Sequence, residues 1–523
     1  MNIGSEMQEI SSNNKRIAKN TLLLYFRMLV TMAVSLYTSR VVLNILGVED
    51  FGIYNVVGGI VAMFGFINGS MTSATQRYLT FELGQNNRAQ LTKVFSTSLS
   101  IHGIISFLII VLAETVGLWF LWNKMQIPAD RMNAAFWVFQ CSVAASVIMI
   151  MSVPYNAAII AHERMSAFAY ISIIEVSLKL LIVCFLRYFH TDKLILYAAL
   201  IVIVQFLIRL CYSWYCNRHF NETKYRWSWD KGLFKEMTGF ASWNMFGSLA
   251  AITFTQGLNL LLNMFFGPVV NAARGIAVQA QTAIGQFSNN FQTALNPQIT
   301  KSYATGDREY MHSLIFRSAK FSFFLLLFLS LPILIETKAI LTLWLKIVPD
   351  HTVVFLRIML CTTWVYAISN PLITAASATG KIKLYQSVVG GLLLLILPIS
   401  SYLCLRLGLP AYSVLIVHLG MEITAQFARL WMLRRMIRLS LREYFAKVIW
   451  SISKVTAIAL AVPQAVIYCH PQHGVWNLLM VCLVCTLSTS ISIYYFGLTS
   501  GEKTFISSKI SAILTRLKPK TKD

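Results

Sequence analysis

The 523-residue chain is 56% hydrophobic and only 12% charged, yet its formal net charge is +23. Its mean hydropathy of +0.62 excludes an ordinary soluble protein. Apolar stretches of about twenty residues, long enough to cross a bilayer, follow one another along nearly the whole length. No interval between them could hold a soluble basic module, so the positive charge is read as Lys and Arg gathered in cytoplasmic loops rather than as a nucleic-acid surface.

The polar N-terminus through Asn14 leads into Lys15, Arg16 and Lys19 and then into a segment too long for a cleaved leader, so an anchor that stays is expected. Hydropathy predicts helices over about 20–46, 52–79, 94–122, 134–161, 166–188 and 194–216. The turn Gly47-Val-Glu-Asp50 separates the first two, and Pro154 kinks the fourth. The polar, Trp-bearing stretch 217–235 reads as an interfacial cytoplasmic linker. A second set follows over about 236–266, 271–300, 312–345, 351–378, 384–405 and 411–433, then the basic run Arg434, Arg435, Arg438 and Arg442. Helices over 444–468 and 475–497 and a basic tail with Lys518, Lys520 and Lys522 complete the chain.

The expected fold is therefore all-α and polytopic, with about fourteen transmembrane helices. The expected domains are an N-lobe over 1–216, the linker 217–235, a C-lobe over 236–433, two further helices within 434–500, and a cytoplasmic tail over 501–523. Basic residues recur in one set of loops (Arg88 and Lys93, Arg164, Lys301 and Arg308, Lys381 and Lys383), while the alternate set holds Glu49, Asp50, His470 and His473. That asymmetry predicts both termini in the cytoplasm.

An internal repeat accompanies this plan. Residues 46–88 have a weak copy at 266–308, with Gly47 opposite Gly267, Gly65 opposite Gly285 and Ala74 opposite Ala294. Val153-Pro154-Tyr155-Asn156-Ala157-Ala158 finds a counterpart in Asn370-Pro371-Leu372-Ile373-Thr374-Ala375 at nearly the same offset. An even number of helices per copy gives both the same orientation, as in parallel-repeat transporters whose substrate site lies between the repeats.

Polar residues inside the apolar segments point to chemistry. Gln279, Thr282, Gln286, Asn289, Thr293 and Asn296 recur every three or four residues and share one helix face. Gln256, Asn259 and Asn263 do the same on the preceding helix. The first-lobe counterpart carries Asn55, Gly58, Ala62, Gly65, Gly69, Thr72 and Gln76. Such faces are either small-residue packing seams or walls of a wet cavity; successive large amides pack poorly in a dry seam, which favours the cavity for the second lobe. Buried charges are sharper, each costing roughly 2.5–3.5 kcal/mol at mid-membrane. Arg27 lies about 10 Å into the first helix; Arg40 and Arg274 lie near the outer end of theirs. Glu175 and Lys179 form an i,i+4 pair, Arg209 sits in the sixth helix, and Glu422 in its second-lobe counterpart. The arginines either snorkel to the interface or capture an anion, since guanidinium groups suit phosphate oxygens and amides suit sugar hydroxyls.

No hydrolase elbow, zinc-protease or nucleotide-loop motif is found, so an enzyme is not expected. Cys482 and Cys485 have redox-pair spacing without the soluble context such a pair needs, and His470 and His473 bracket a short turn without a third ligand. The remaining cysteines lie mostly in apolar runs, so neither a metal nor a cofactor is expected.

The segment Thr38-Ser39-Arg40-Val-Val-Leu-Asn-Ile-Leu-Gly47 with Asp50-Phe-Gly-Ile-Tyr54 resembles the first hairpin of bacterial polysaccharide-biosynthesis flippases. These are relatives of the multidrug and toxin extrusion (MATE) transporters and of the lipid II flippases. The resemblance implies a MATE-like fold of the same superfamily, two six-helix lobes with two further helices, and an inner-membrane location. It also implies translocation of undecaprenyl-diphosphate-linked O-antigen or capsule repeat units for lipopolysaccharide or capsule synthesis, with Arg27, Arg40 and Arg274 in the central cavity. The first helix lacks the acid that drug exporters of this type use for coupling, leaving Glu175 and Glu422 as substitutes. Partners would be the lipid-linked oligosaccharide, membrane lipids, H+ or Na+, and a polysaccharide polymerase or ligase, with no nucleic acid. Two other readings stand beside this one: a cation-coupled multidrug exporter, which would need an essential membrane acid, and a scaffold that holds glycosyltransferases through its basic loops.

Overall fold

A computed structural model of the protein describes residues 3–62, 65–123, 127–189, 191–224, 230–266, 268–345, 348–469 and 474–504. Within them the chain is helical almost throughout, with no strand. The helices are α1 (Ile3–Ala62), α2 (Gly65–Gly84), α3 (Arg88–Leu112), α4 (Met132–Ala161), α5 (Met165–Leu186), α6 (Lys193–His219), α7 (Lys231–Phe266) and α8 (Pro268–Ala304). They continue with α9 (Arg308–Ile335), α10 (Thr352–Ala378), α11 (Lys383–Gly391), α12 (Ser413–Met436), α13 (Trp450–Cys469) and α14 (Val475–Ser492). Short helical pieces connect or extend these; α3 and α11, for example, continue through a π turn into further helix.

Among the described residues, ten helices are long and apolar enough to cross a membrane, so this is a multi-pass membrane protein. The elements left out of the ten are informative. Of the others, α2, α8 and α12 have the length but carry polar and charged side chains that lower their hydropathy.

The expected turn at 47–50 is smaller than its sequence suggests. Only Gly47 leaves helical geometry (φ 82°, ψ 172°), and the helix resumes directly beyond it. That positive φ is one a side chain rarely adopts, which is why glycine stands at the bend. Asp50, just past the bend, accepts from Arg131 Nε at 2.9 Å, and Arg131 also donates to Asp192 at 2.8 Å, so one guanidinium ties together the ends of three connections. Pro154 lies inside α4 without ending it, because about six preceding turns and tight packing hold the helix through the lost bond.

The chain packs as two compact units. The first comprises 1–253, 293–311 and 374–394; the second comprises 254–292, 312–373 and 395–523. The first unit thus includes the opening half of the chain together with the ends of α8 and α10, the start of α9 and all of α11. Its core is a continuous set of buried apolar residues on α2 to α7, among them Phe95, Ile159, Val183 and Met237. A satellite core joins Leu24, Ile160 and Met165 to Ala294 of α8. Arg77 of α2 donates to the carbonyl of Ala378 at 3.1 Å, and Tyr78 donates to Glu236 at 3.0 Å. In the second unit, Gln281 donates to Thr363 Oγ1 at 2.8 Å and Gln292 to Ser322 Oγ at 3.0 Å. Both amides therefore serve as packing groups between α8 and its neighbours.

Candidate functional site

The residues singled out from the sequence fall in both units, and each unit has its own buried charges. In the first, Arg27 of α1 is half-buried, with its guanidinium carbon 4.2 Å from the ring centroid of Phe168 on α5. Its Nε is buried and has no hydrogen-bond partner among the described residues. Glu175 and Tyr212 lie within electrostatic reach. Glu175 is itself engaged, accepting from Lys179 Nζ at 2.6 Å and from Gln205 at 3.3 Å. Arg209 of α6 donates to the carbonyl of Met151 and stacks 4.7 Å over Tyr155. Arg27, Glu175 and Lys179 therefore share one region of the first unit, with Arg27 held chiefly by an aromatic face, while Arg209 is held against α4.

In the second unit, Arg274 is buried and donates to Asn259 Oδ1, while its Nε has no hydrogen-bond partner among the described residues. The stripe on α8 is two-sided. Gln279, Thr282, Gln286 and Asn289 are exposed, whereas Ile284, Ser288 and Gln292 on the other side are buried. Thr293 and Asn296, at the end of the same stripe, belong to the first unit and are half-buried, Asn296 accepting from Thr374 at 3.0 Å. The side chains of Arg40, Gln256 and Asn263 lie outside the described residues, as do His470 and His473 and the tail from 505.

Glu422 is buried on α12 against Arg429 at 3.2 Å, with His418 Nε2 at 4.0 Å. Arg429 also donates to Ser369 Oγ at 2.9 Å. Ser369 in turn donates to Gln426 at 2.7 Å, and Gln426 reaches the Tyr444 hydroxyl at 3.3 Å. A buried carboxylate so matched costs little more than an apolar replacement, whereas one stripped of its cation would be expensive.

Sequence reasoning passed over Arg77, Arg429 and Glu163. The first two satisfy the same criterion that found Arg27, a charge inside an apolar run, and were legible. Glu163 carried a fainter signal, an acid inside an otherwise basic loop. Its carboxylate is nearly sealed from solvent and holds Arg16 at 2.9 Å and Lys301 at 2.7 Å.

Two cavities open at the basic loops of the first unit. One of about 520 Å3 is lined by residues that include Arg88, His162, Arg164, His219 and Glu222. Another, of about 440 Å3, lies beside Lys235, Glu236, Trp243, Lys381 and Lys383. Neither contains an expected site residue. In the first, His162 contacts Glu222 and stacks on Phe220 with centroids 4.0 Å apart. Burial would raise the Glu222 pKa, but the hydrogen bond from His162 and the nearby Arg88 outweigh it and hold the carboxyl below its ordinary range.

Comparison with known structures agrees with this architecture. A multidrug-resistance MATE-family transporter of the MOP superfamily, solved in an outward-facing conformation, superposes with a TM-score of 0.71 at 12% identity, over 82% of this chain and 96% of that one. The Vibrio cholerae MATE transporter VcmN in its bent form gives 0.68 at 16% identity, over 82% and 98%. A MATE structure in the bent conformation gives 0.72 at 12% identity, over 85% and 97%. At these identities the likeness shows a shared fold. No match is found among curated proteins. The family model described as polysaccharide biosynthesis protein matches residues 17–306, more than half of the chain. With its helices, its intramembrane charges and this match in hand, the chain belongs to the polysaccharide biosynthesis protein family, on a MATE-like transporter fold.

Proposed function

We propose that this protein is a flippase that carries undecaprenyl-diphosphate-linked oligosaccharide units from the cytoplasmic to the periplasmic leaflet of a bacterial inner membrane, by alternating access. The observation that carries the reading is the exposed polar stripe of α8, the amides Gln279, Gln286 and Asn289 with the hydroxyl of Thr282. Polar side chains turned toward hydrocarbon are costly. A helix that keeps four polar side chains exposed is therefore best suited to facing water within the membrane. Amides both donate and accept, which matches sugar hydroxyls. Arg27 in the first unit and Arg274 in the second are each cationic groups that suit a diphosphate, and the prenyl tail stays in lipid. Loops rich in Lys and Arg support cytoplasmic termini, and glycosyltransferases or a polymerase would act before and after the step.

The test is transport of a defined prenyl-diphosphate oligosaccharide in proteoliposomes, with and without H+ or Na+ gradients. Wild-type protein is expected to expose the glycan on the far leaflet. Arg27→Ala, inserted at the normal level, is expected to lose that activity; full activity in this variant would sink the assignment of Arg27.

A second reading, a cation-coupled exporter of small molecules, draws support from the buried Glu422 with Arg429 and His418 beside it. It requires that the wild-type protein expel small organic cations and that Glu422→Gln or Glu175→Gln abolish that efflux.

A further inference from the structure

Glu163 stands in the short connection between α4 and α5 with a φ of 58°, a left-handed conformation that is uncommon outside glycine and asparagine. The surrounding loop enforces it. Glu163 N–H donates to Ile160 O at 2.9 Å and Arg164 N–H to Ile159 O at 3.0 Å. His162, next in the chain, is pinned against Glu222 and Phe220.

The strain aims a carboxylate inward, where its side chain is 1% exposed. Oε2 accepts from Arg16 Nε at 2.9 Å and Gln298 Nε2 at 2.7 Å, and Oε1 from Lys301 Nζ at 2.7 Å. The Glu163 carbonyl accepts from Asn20 Nδ2 at 3.2 Å. One residue thus ties the start of α1 and the α4–α5 connection, both from the first half of the chain, to the end of α8 from the second half. All of these groups belong to the first compact unit. The neighbouring contact is equally close: a Cβ on Gly84 would lie 2.8 Å from Ala304 Cβ and 3.1 Å from the Lys301 carbonyl.

The chemistry of this junction is that of a contact made to open. The ion cluster surrounds one buried carboxylate, with Arg16 already 47% exposed, so it is close to break-even against the hydration of its parts, and the apolar contact beside it is small, Leu24, Ile160 and Met165 on Ala294. An apolar seam of the same size would resist wetting. The left-handed backbone adds strain that opening can release.

We propose that Glu163 is the latch of a cytoplasmic gate: its ion cluster holds the cytoplasmic ends of the two halves together, and it must break before substrate enters from that side. The proposal rests on the alternating-access part of the function above and not on the identity of the substrate.

The experiment places a single reporter, Ser302→Cys, in the full-length protein. Ser302 is 5% exposed and adjoins Lys301. Labelling by a membrane-impermeant maleimide is measured in inverted membrane vesicles as the increment over the parent chain. It should be slow with Glu163 present and about tenfold faster in Glu163→Gln, the change a modest shift of a two-state equilibrium produces. Should Glu163→Gln fail to accumulate, Arg16→Gln, which leaves the carboxylate and its loop in place, gives the same readout. Labelling at the parent rate in these variants overturns the latch. Faster labelling in a protein that moves no prenyl-linked glycan leaves the latch standing and sinks the substrate reading instead.

Discussion

Arg27 is informative because of what surrounds it: an aromatic face on one side and a buried Nε with no partner among the described residues. Guanidinium is planar, so it can lie on Phe168 while its remaining N–H groups reach an anion in two parallel bonds. An ammonium cannot do both. Arg27→Lys is therefore expected to insert normally yet lower glycan transport by about tenfold or more, measured in proteoliposomes; wild-type rates would show that charge alone suffices. Glu222 offers a test outside the membrane. Its carboxyl is held below its ordinary range in the folded protein. Its contribution to stability is therefore present above the unfolded carboxylate pKa and fades as pH falls through the lower folded value. Glu222→Gln should melt below wild type near pH 7, and the two should converge in acid; a constant gap would point to packing rather than charge.

At the scale of the element, α8 divides its amides by role. Gln292 is buried and donates to Ser322 and to the carbonyl of Ala367, while Gln286 is exposed on the opposite side. Gln292→Leu strands those acceptors and should destabilise the fold by about 1–3 kcal/mol. Gln286→Leu should leave the melting temperature unchanged and reduce transport. Equal effects of the two would mean that the exposed stripe has no separate job. The meeting of α2 and α8 gives a second test. Because the backbones approach so closely at Gly84, cysteines at 84 and 304 need shift by only about 1 Å to reach disulfide spacing. Oxidised Gly84→Cys/Ala304→Cys protein should be arrested, and reductant should restore transport. From α4 onward most helix positions at this scale were readable from hydropathy to within about five residues, because apolar length is a property of contiguous sequence, whereas α1 begins at Ile3, well before the expected start near 20, and runs on to Ala62. Breaks such as those after Ile335 and within α3 were not, since a local turn of π or irregular helix leaves composition unchanged.

For the whole molecule, the loop charges make one prediction that all the others depend on. Cysteines introduced at Asn86 and Gly306 should be labelled from the cytoplasmic side only, and one at Asp130 from the outside only. Labelling of 86 and 130 from the same side would overturn the topology and with it the direction of transport. Much of this molecule was determined by sequence alone: that it lies in a membrane, that it is all-helical, and that Arg27, Arg274, Glu175 and Glu422 sit within apolar runs. Each of these follows from local composition, because lipid imposes the same length and polarity rules on every segment. What only the tertiary structure decided is which groups meet. Arg16, Glu163 and Lys301 are far apart in the chain and unremarkable one by one, and nothing periodic links them. Which face of α8 is packed and which left open likewise depends on neighbours contributed by distant helices. Burial and partnership are properties of pairs, and a single sequence records its residues one at a time.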